Sequence, residues 1–278
     1  QKERFLKPMA AGDEIWAQAW SEPGAGSDMA AIRSKAIRDG DEYVITGQKI
    51  WSSRAVFADW CFGLFRTDPE SSRHHGLSKI LVPLDSPGLS VRPIAQLDGD
   101  PGFAELFFDE VRVPISNLLG PENGGWGVAM ATAGFERGLL LRSPARFQAA
   151  AARLVKLYKQ NANRLSSGIK EEVLKAWGDT ERFTAATYAL VAQVDSGASI
   201  SSEASANKIF WSEMDRTMHR TAMTIMGMYA ELEEGDGAIE NGRWLDGYMF
   251  SLAGPIYAGT NEIQRNILAE RVLGLPRQ

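Results

Sequence analysis

The sequence predicts an α+β chain: a small antiparallel β-barrel or β-sandwich domain, then an antiparallel helical bundle. Three observations predict it. From Ile15 to Leu119 the apolar runs are short, rich in β-branched and aromatic residues, and separated by turn signals. Gly120-Pro121-Glu122-Asn123-Gly124-Gly125-Trp126-Gly127 then interrupts the pattern. Beyond it, apolar residues recur at the three- and four-residue spacing of helices. The boundary falls at this glycine-rich stretch, giving a β domain over residues 15–122 and a bundle over residues 123–278.

The elements follow in order. Asp39-Gly40-Asp41 is a turn signal ahead of the strand Glu42-Tyr43-Val44-Ile45-Thr46-Gly47. Leu77-Ser78-Lys79-Ile80-Leu81-Val82-Pro83 is an apolar strand stopped by proline. Leu89–Pro93 and Ala104–Phe108 are the next strands. In the second half, residues 145–160 are strong helix formers, and Pro144 starts or kinks their helix. Phe210, Met214, Met218, Ala222 and Ile225 form an amphipathic stripe between Glu203 and Tyr229, with the methionines as core packing. A last helix runs from about Asn261 to Leu273, carries Ile263, Ile267 and Leu268, and stops at Gly274.

Composition narrows the function classes. The 278 residues are 44% hydrophobic, which suits a globular chain with a sizeable core. Lys plus Arg number 30 against 35 Asp plus Glu, a net charge of -5 that argues against a nucleic-acid binder. The single cysteine, Cys61, forms no intrachain disulfide and reads as a small core hydrophobe. No apolar run reaches membrane-spanning length. A reduced, cytoplasmic setting is the expectation. His74-His75 sits in a loop with no third ligand close in sequence, so no metal site is expected.

Three segments carry a resemblance. They are Ser21-Glu22-Pro23-Gly24-Ala25-Gly26-Ser27-Asp28, then Gly47-Gln48-Lys49-Ile50-Trp51-Ser52-Ser53, and then Tyr257-Ala258-Gly259-Thr260-Asn261-Glu262 with its helix. In this order and spacing they resemble the FAD-dependent acyl-CoA dehydrogenase family. The resemblance implies removal of an α-proton and a β-hydride from an acyl-CoA thioester, giving the 2,3-enoyl-CoA, with flavin N5 accepting the hydride. It also implies a further helical domain ahead of the β domain, of which residues 1–14 resemble the tail, so the chain is expected to lack that domain.

The resemblance assigns roles residue by residue. Ser21 lies near the flavin's pyrimidine edge and Ser27 near the flavin–substrate boundary, while Gly24 and Gly26 let the backbone approach the planar ring closely. Gln18 stands where many relatives have an aromatic residue. Trp51 flanks the ring with Ser53 beside it. Thr260 opens the last helix as an N-cap, with Glu262 in its first turn, where helix N–H groups favour the flavin pyrophosphate. Tyr257, Ala258 and Gly259 border the acyl thioester, and the Ala258 N–H donates to its carbonyl as in an oxyanion hole.

Many relatives place the catalytic glutamate where this chain has Ala258. Other branches carry it on the first long helix after the barrel, before an arginine. Here that position reads Gly134-Phe135-Glu136-Arg137-Gly138, so Glu136 is the expected base and Arg137 its neighbour at the substrate. A carboxylate in a dry pocket has the raised pKa this proton transfer needs. The alternative for Glu136 is a structural ion pair with Arg137.

Two family features depart. The Arg-x-x-Phe-Gly motif is missing from Lys159 to Gly168, and a Gly-Gly-x-Gly turn is reduced to Met226-Gly227-Met228-Tyr229. Lys208, Arg216 and Arg220 are candidate replacement cations, or members of a solvated helix face. The departures resemble bacterial branches acting on steroid side chains or other bulky acyl groups, some pairing unlike subunits. The expected partners are acyl-CoA, an electron-transfer flavoprotein and further subunits in a homo- or hetero-oligomer (dimer or tetramer). Two readings stay open beside the dehydrogenase: a non-catalytic partner subunit of a heteromeric enzyme, and a related flavin oxidase.

Overall fold

The computed structural model describes residues 1–137, 143–197 and 203–276. The chain divides into two compact units, Gln1–Thr132 and Ala133–Gln278. The first opens with helix α1 (Lys2–Ala11) and holds strands β1 (Trp16–Ala19), β2 (Lys35–Asp39), β3 (Glu42–Ser53) and β4 (Trp60–Arg66). They are followed by β5 (Leu77–Pro83), β6 (Leu89–Ile94), β7 (Phe103–Pro114), β8 (Leu118–Leu119) and the start of helix α2 (Gly125–Arg137). The strands form one sheet in the order β6-β7-β3-β2-β4-β5-β8, with β1 paired to β4.

Local chemistry explains the hairpins. Gly40 takes the left-handed φ of 61° that turns β2 into β3, with Asp39 opposite Glu42. The α+β class is as expected, but the sheet is mixed. β1 pairs with β4 in parallel, and β2 meets β4 in parallel at Lys35 and Arg66. Such pairings join strands far apart in sequence, so no turn signal announces them.

Alternation places the core. Ile45, Cys61, Phe65, Ile80, Val82, Leu106 and Val111 pack together, with Ala17 and Ala19 from β1. Cys61 is fully buried, as expected of a core thiol. In β5, every residue from Leu77 to Val82 is buried, including Ser78 and Lys79. Such a run needs cover on both faces. The start of α2 lies directly against β5: a Cβ added at Gly125 would sit 2.6 Å from the Ser78 backbone. Asn123, at φ 62°, donates its N–H to Ser78 Oγ at 2.8 Å and accepts from Thr67 Oγ1 at 2.7 Å.

The second unit contains helices α3 (Pro144–Asn161), α4 (Ser167–Asp195), α5 (Glu203–Met226), α6 (Arg243–Ala253) and α7 (Asn261–Arg271). Pro144 opens α3 in the first turn, where its missing N–H has no cost. α5 packs against α3, α4, α6 and α7. Its stripe of Met214, Met218, Ala222 and Ile225 is buried, so the methionines are core. Phe147 joins the same core, edge-on to Phe183 at 5.1 Å and stacked on Trp211 at 6.2 Å.

Gly125 and Gly127 share a helix turn but differ in surroundings. Gly125→Ala is expected to destabilise by about 1–3 kcal/mol through overpacking. Gly127→Ala meets nothing within 4 Å, so it is expected to leave stability unchanged or raise it. Denaturant unfolding of the two variants checks the contrast.

Candidate functional site

In the first unit the glycine-bearing turn is fastened from beneath by a buried ion pair. Glu22 follows β1, and its backbone exchanges hydrogen bonds with Ala25 in both directions, at 3.1 and 3.0 Å. This closes a tight turn that leaves Gly24 and Gly26 facing outward, with nothing within 4 Å of a Cβ added at either. The Glu22 side chain turns inward. Its carboxylate accepts the N–H of Arg33 at 2.8 Å and of Ser34 at 2.9 Å, and pairs with Lys49 Nζ at 2.8 Å.

Lys49 lies on β3 and is fully buried. Its ammonium has three donors and uses all three, on Glu22, Trp20 O at 3.2 Å and Leu64 O at 2.6 Å. One side chain thus ties β3 to β4 and to the turn. Burial pulls the Lys49 pKa down to about 8, opposed by the Glu22 charge. Burial also pushes Glu22 upward, but Lys49 and the two backbone donors outweigh it and hold the carboxyl below its usual range.

The same strand displays Trp51. The Ile50 N–H donates to Ser21 O at 2.9 Å, registering β3 against the turn. One residue further on, Trp51 has φ 61° and is 57% exposed, edge-on to Phe103 at 6.1 Å. A bulky aromatic residue in the left-handed region is conformationally disfavoured; here it falls where the register of β3 against β7 shifts between Lys49 and Ser52. Ser53 and Ser27 are exposed, and Gln18 and Ser21 are half-buried. Asp28, beyond the turn, pairs with Arg73 at 2.9 Å.

α2 runs unbroken from Gly125 to Arg137, so Glu136 and Arg137 lie on a helix. Their side chains, and residues 138–142, lie outside the described residues. Upstream in α2, Thr132 Oγ1 accepts from Lys79 Nζ at 2.9 Å. Lys79 also lies over the rings of Phe62 and Trp20, at 4.7 and 5.0 Å.

In the second unit, Tyr257-Ala258-Gly259 links α6 to α7. Tyr257 packs beside Trp211 at 6.1 Å and Phe250 at 6.3 Å. Ala258 has φ 54°, a left-handed value unusual for a residue with a Cβ, and Gly259 follows at φ 83°. Thr260 is the N-cap of α7, its Oγ1 accepting the Ile263 N–H at 3.2 Å. Glu262 lies at the surface, with Arg265 at 3.5 Å.

The sequence reasoning missed the buried polar groups behind this loop. The apolar Ile263, Ile267 and Leu268 are only half-buried, while Asn261 and Gln264 are buried. Asn261 Oδ1 accepts from Lys208 Nζ at 2.9 Å and Ser212 Oγ at 3.2 Å, and its Nδ2 donates to Glu213 Oε1 at 3.0 Å. Lys208 is therefore not on a solvated face. Burial lowers its pKa to about 8, against the pull of Glu262 and Glu213. Arg216 pairs with Glu213 at 2.5 Å. Gln264 donates to Ala258 O at 3.2 Å and Gly259 O at 3.3 Å. The one signal available beforehand was position: Asn261 and Gln264 lie one helical turn apart, on one side of α7.

Comparison with known proteins now defines the class. The model of the acyl-CoA dehydrogenase middle domain matches residues 17–111, and that of the acyl-CoA dehydrogenase C-terminal domain matches residues 123–273. The chain belongs to the acyl-CoA dehydrogenase family. It is 41% identical to the acyl-CoA dehydrogenase IpdE1 of Mycobacterium tuberculosis (strain ATCC 25618 / H37Rv), aligned over 100% of this chain and 71% of that protein. Among solved structures, the Tcur3481-Tcur3483 steroid ACAD matches with a TM-score of 0.92 at 30% identity, over 100% of this chain and 72% of that one. The ChsE4-ChsE5 complex from Mycobacterium tuberculosis matches with a TM-score of 0.87 at 31% identity, over 100% of this chain and 73% of that one.

Breaking the buried ion pair leaves a charge without its partner. Glu22→Gln and Lys49→Met are each expected to cost about 3–5 kcal/mol, and the double variant less than their sum. Chemical denaturation of the four proteins measures the coupling, and additive losses would contradict it. The folded Lys49 has a pKa of about 8 against an ordinary 10.5. Between those values the unfolded chain holds a proton that the folded lysine has released, so stability rises with pH across that window. Wild type is expected to gain on Lys49→Met over that range; a flat difference would be the contrary result.

Proposed function

We propose that the chain performs FAD-dependent α,β-dehydrogenation of an acyl-CoA thioester, giving the 2,3-enoyl-CoA, with Glu136 as the base. The observation that carries this reading is Trp51, held exposed in a left-handed backbone and registered against the open glycine turn by the Ser21–Ile50 hydrogen bond. A flat ring lying over that turn would satisfy both features: the indole gains a stacking partner, and glycines without Cβ atoms admit close approach.

The residues fit FAD. Trp51 and Ser53 would flank the flavin ring, and Gln18, Ser21, Gly26 and Ser27 would hold its polar edge and the acyl boundary. Thr260 and Glu262, at the start of α7, would face the pyrophosphate, where helix N–H groups favour an anion. Bound FAD supplies the hydride acceptor. The protein's own task is to remove the α-proton and stabilise the enolate-like charge that develops. Glu136 takes the proton from its helix, with Arg137 beside it at the thioester. Ala258 donates its N–H to the thioester carbonyl, and its methyl leaves room for a base arriving from elsewhere, with Tyr257 and Gly259 lining the acyl group.

The steroid enzyme among the solved neighbours supports a bulky acyl group as substrate and further subunits as partners. An electron-transfer flavoprotein is the proposed electron acceptor. A second reading, a non-catalytic partner subunit, is favoured by one observation: a residue with no carboxylate, Ala258, stands in the loop where many relatives place the base.

The two readings separate on the full-length protein. Glu136→Gln is expected to remain yellow while acyl-CoA bleaches the flavin about 10²–10⁴-fold more slowly. Bleaching at the wild-type rate would remove Glu136 from the reaction. A colourless wild-type protein that turns yellow and active only with a second polypeptide would support the partner-subunit reading.

A further inference from the structure

We propose that Gln264 is a positioning residue, holding Ala258 in the left-handed conformation that presents its N–H to the acyl carbonyl. The inference rests on the assignment of the Ala258 N–H under the proposed function, and adds the group that makes that N–H available.

The loop has a conformational problem. Ala258 has φ 54°, and an alanine disfavours that region because its Cβ crowds the following carbonyl. Gly259 continues the turn at φ 83°, but glycine adopts that value freely. Ala258 therefore persists in this conformation only where its surroundings hold it. Its side chain, a methyl group, makes no hydrogen bond, so the restraint must act on the backbone.

Gln264 supplies that restraint. It is fully buried, and its Nε2 donates to the carbonyls of both Ala258 and Gly259, at 3.2 and 3.3 Å. Those carbonyls belong to the peptide planes on either side of Gly259, so the amide fixes the plane that follows Ala258; the chain before Ala258 is held at Tyr257, whose N–H donates to Ala253 O at 3.1 Å and whose ring packs beside Trp211 and Phe250. The amide is itself anchored at both ends of its first helical turn. Thr260 caps α7 through the Ile263 N–H, and Asn261 ties the same turn to Lys208, Ser212 and Glu213 of α5. Gln264 Oε1 has no hydrogen-bond partner among the described residues. A buried amide that leaves its oxygen unpaired while using its donors on this loop is placed for the loop, since leaving a buried acceptor unmet costs stability.

Positioning of this kind predicts a particular coupling. Glycine at position 258 adopts the left-handed region without penalty, so it depends less on the latch. The test uses the full-length, flavin-loaded protein and four forms: wild type, Gln264→Leu, Ala258→Gly and the double variant. Flavin reduction by saturating acyl-CoA gives the rate, and substrate titration gives the affinity. Ala258→Gly sets its own rate and affinity, and serves only as the background against which the double variant is compared. Gln264→Leu is expected to reduce flavin about 10²-fold more slowly, on the scale of losing one oxyanion donor, with a smaller change in affinity. In the Ala258→Gly background the same substitution is expected to cost under about 10-fold, because the penalty it exposes is gone. Gln264→Glu, which keeps the volume but not the two donors, should repeat the loss.

An equal loss in both backgrounds or a wild-type rate in Gln264→Leu would overturn the proposal. So would leucine and glutamate variants that both fail to take up flavin, because a positioning residue is dispensable for assembly. Failure of the dehydrogenase reading itself appears elsewhere, as a full-length wild-type protein that takes up no flavin or whose flavin acyl-CoA does not bleach.

Discussion

The Lys49–Glu22 pair is the constraint on which the first unit's site depends. A fully buried ammonium is costly, and this one is tolerated because each of its donors meets an acceptor, one of them charged. Those acceptors lie on the turn, on Trp20 just after β1, and on β4. Glu22 extends the linkage to the backbone of Arg33 and Ser34. The turn that faces outward with bare glycines is therefore rigid beneath. An apolar contact would have sealed the same space, but without fixing direction or register. The strained backbone of Trp51 follows on the same strand, two residues beyond the lysine and one beyond the hydrogen bond to Ser21.

A parallel device operates in the second unit. Asn261 and Gln264 are amides buried in a helix that the apolar pattern alone would turn the other way. They join α5 to the loop carrying Ala258 through Lys208, Ser212 and Glu213. In both units a backbone segment in an unfavourable conformation is backed by buried polar side chains. Their hydrogen bonds are directional, which packing alone is not. Both segments are thus held by bonds rather than by contact alone.

Much of the fold was legible in the sequence. Asp39-Gly40 marked a hairpin, Pro144 a helix start, Thr260 a cap, and the Met214–Met218 stripe a core face, because each depends on local chemistry or on a period. The strand Leu77–Pro83 was recognised to the residue, although its buried Lys79 was not. What escaped was non-local. β1 pairs in parallel with β4 across a long stretch of chain, and nothing in either strand specifies the partner. Lys49, Glu22, Lys208, Asn261 and Gln264 were polar letters that pattern reasoning sends to the surface, and only the fold brings their partners within reach. The motifs carrying the family resemblance contained Glu22 and Lys49 all along, but their spacing gave no indication that the two meet.

The central claim is that the buried pair presents the turn proposed to bind flavin. The most direct measurement is the FAD affinity of the apo full-length protein, compared between wild type and Lys49→Met at a temperature where both are folded. The account predicts that the variant binds FAD at least about tenfold more weakly, a loss of about 1.4 kcal/mol. An unchanged affinity in the folded variant would contradict it.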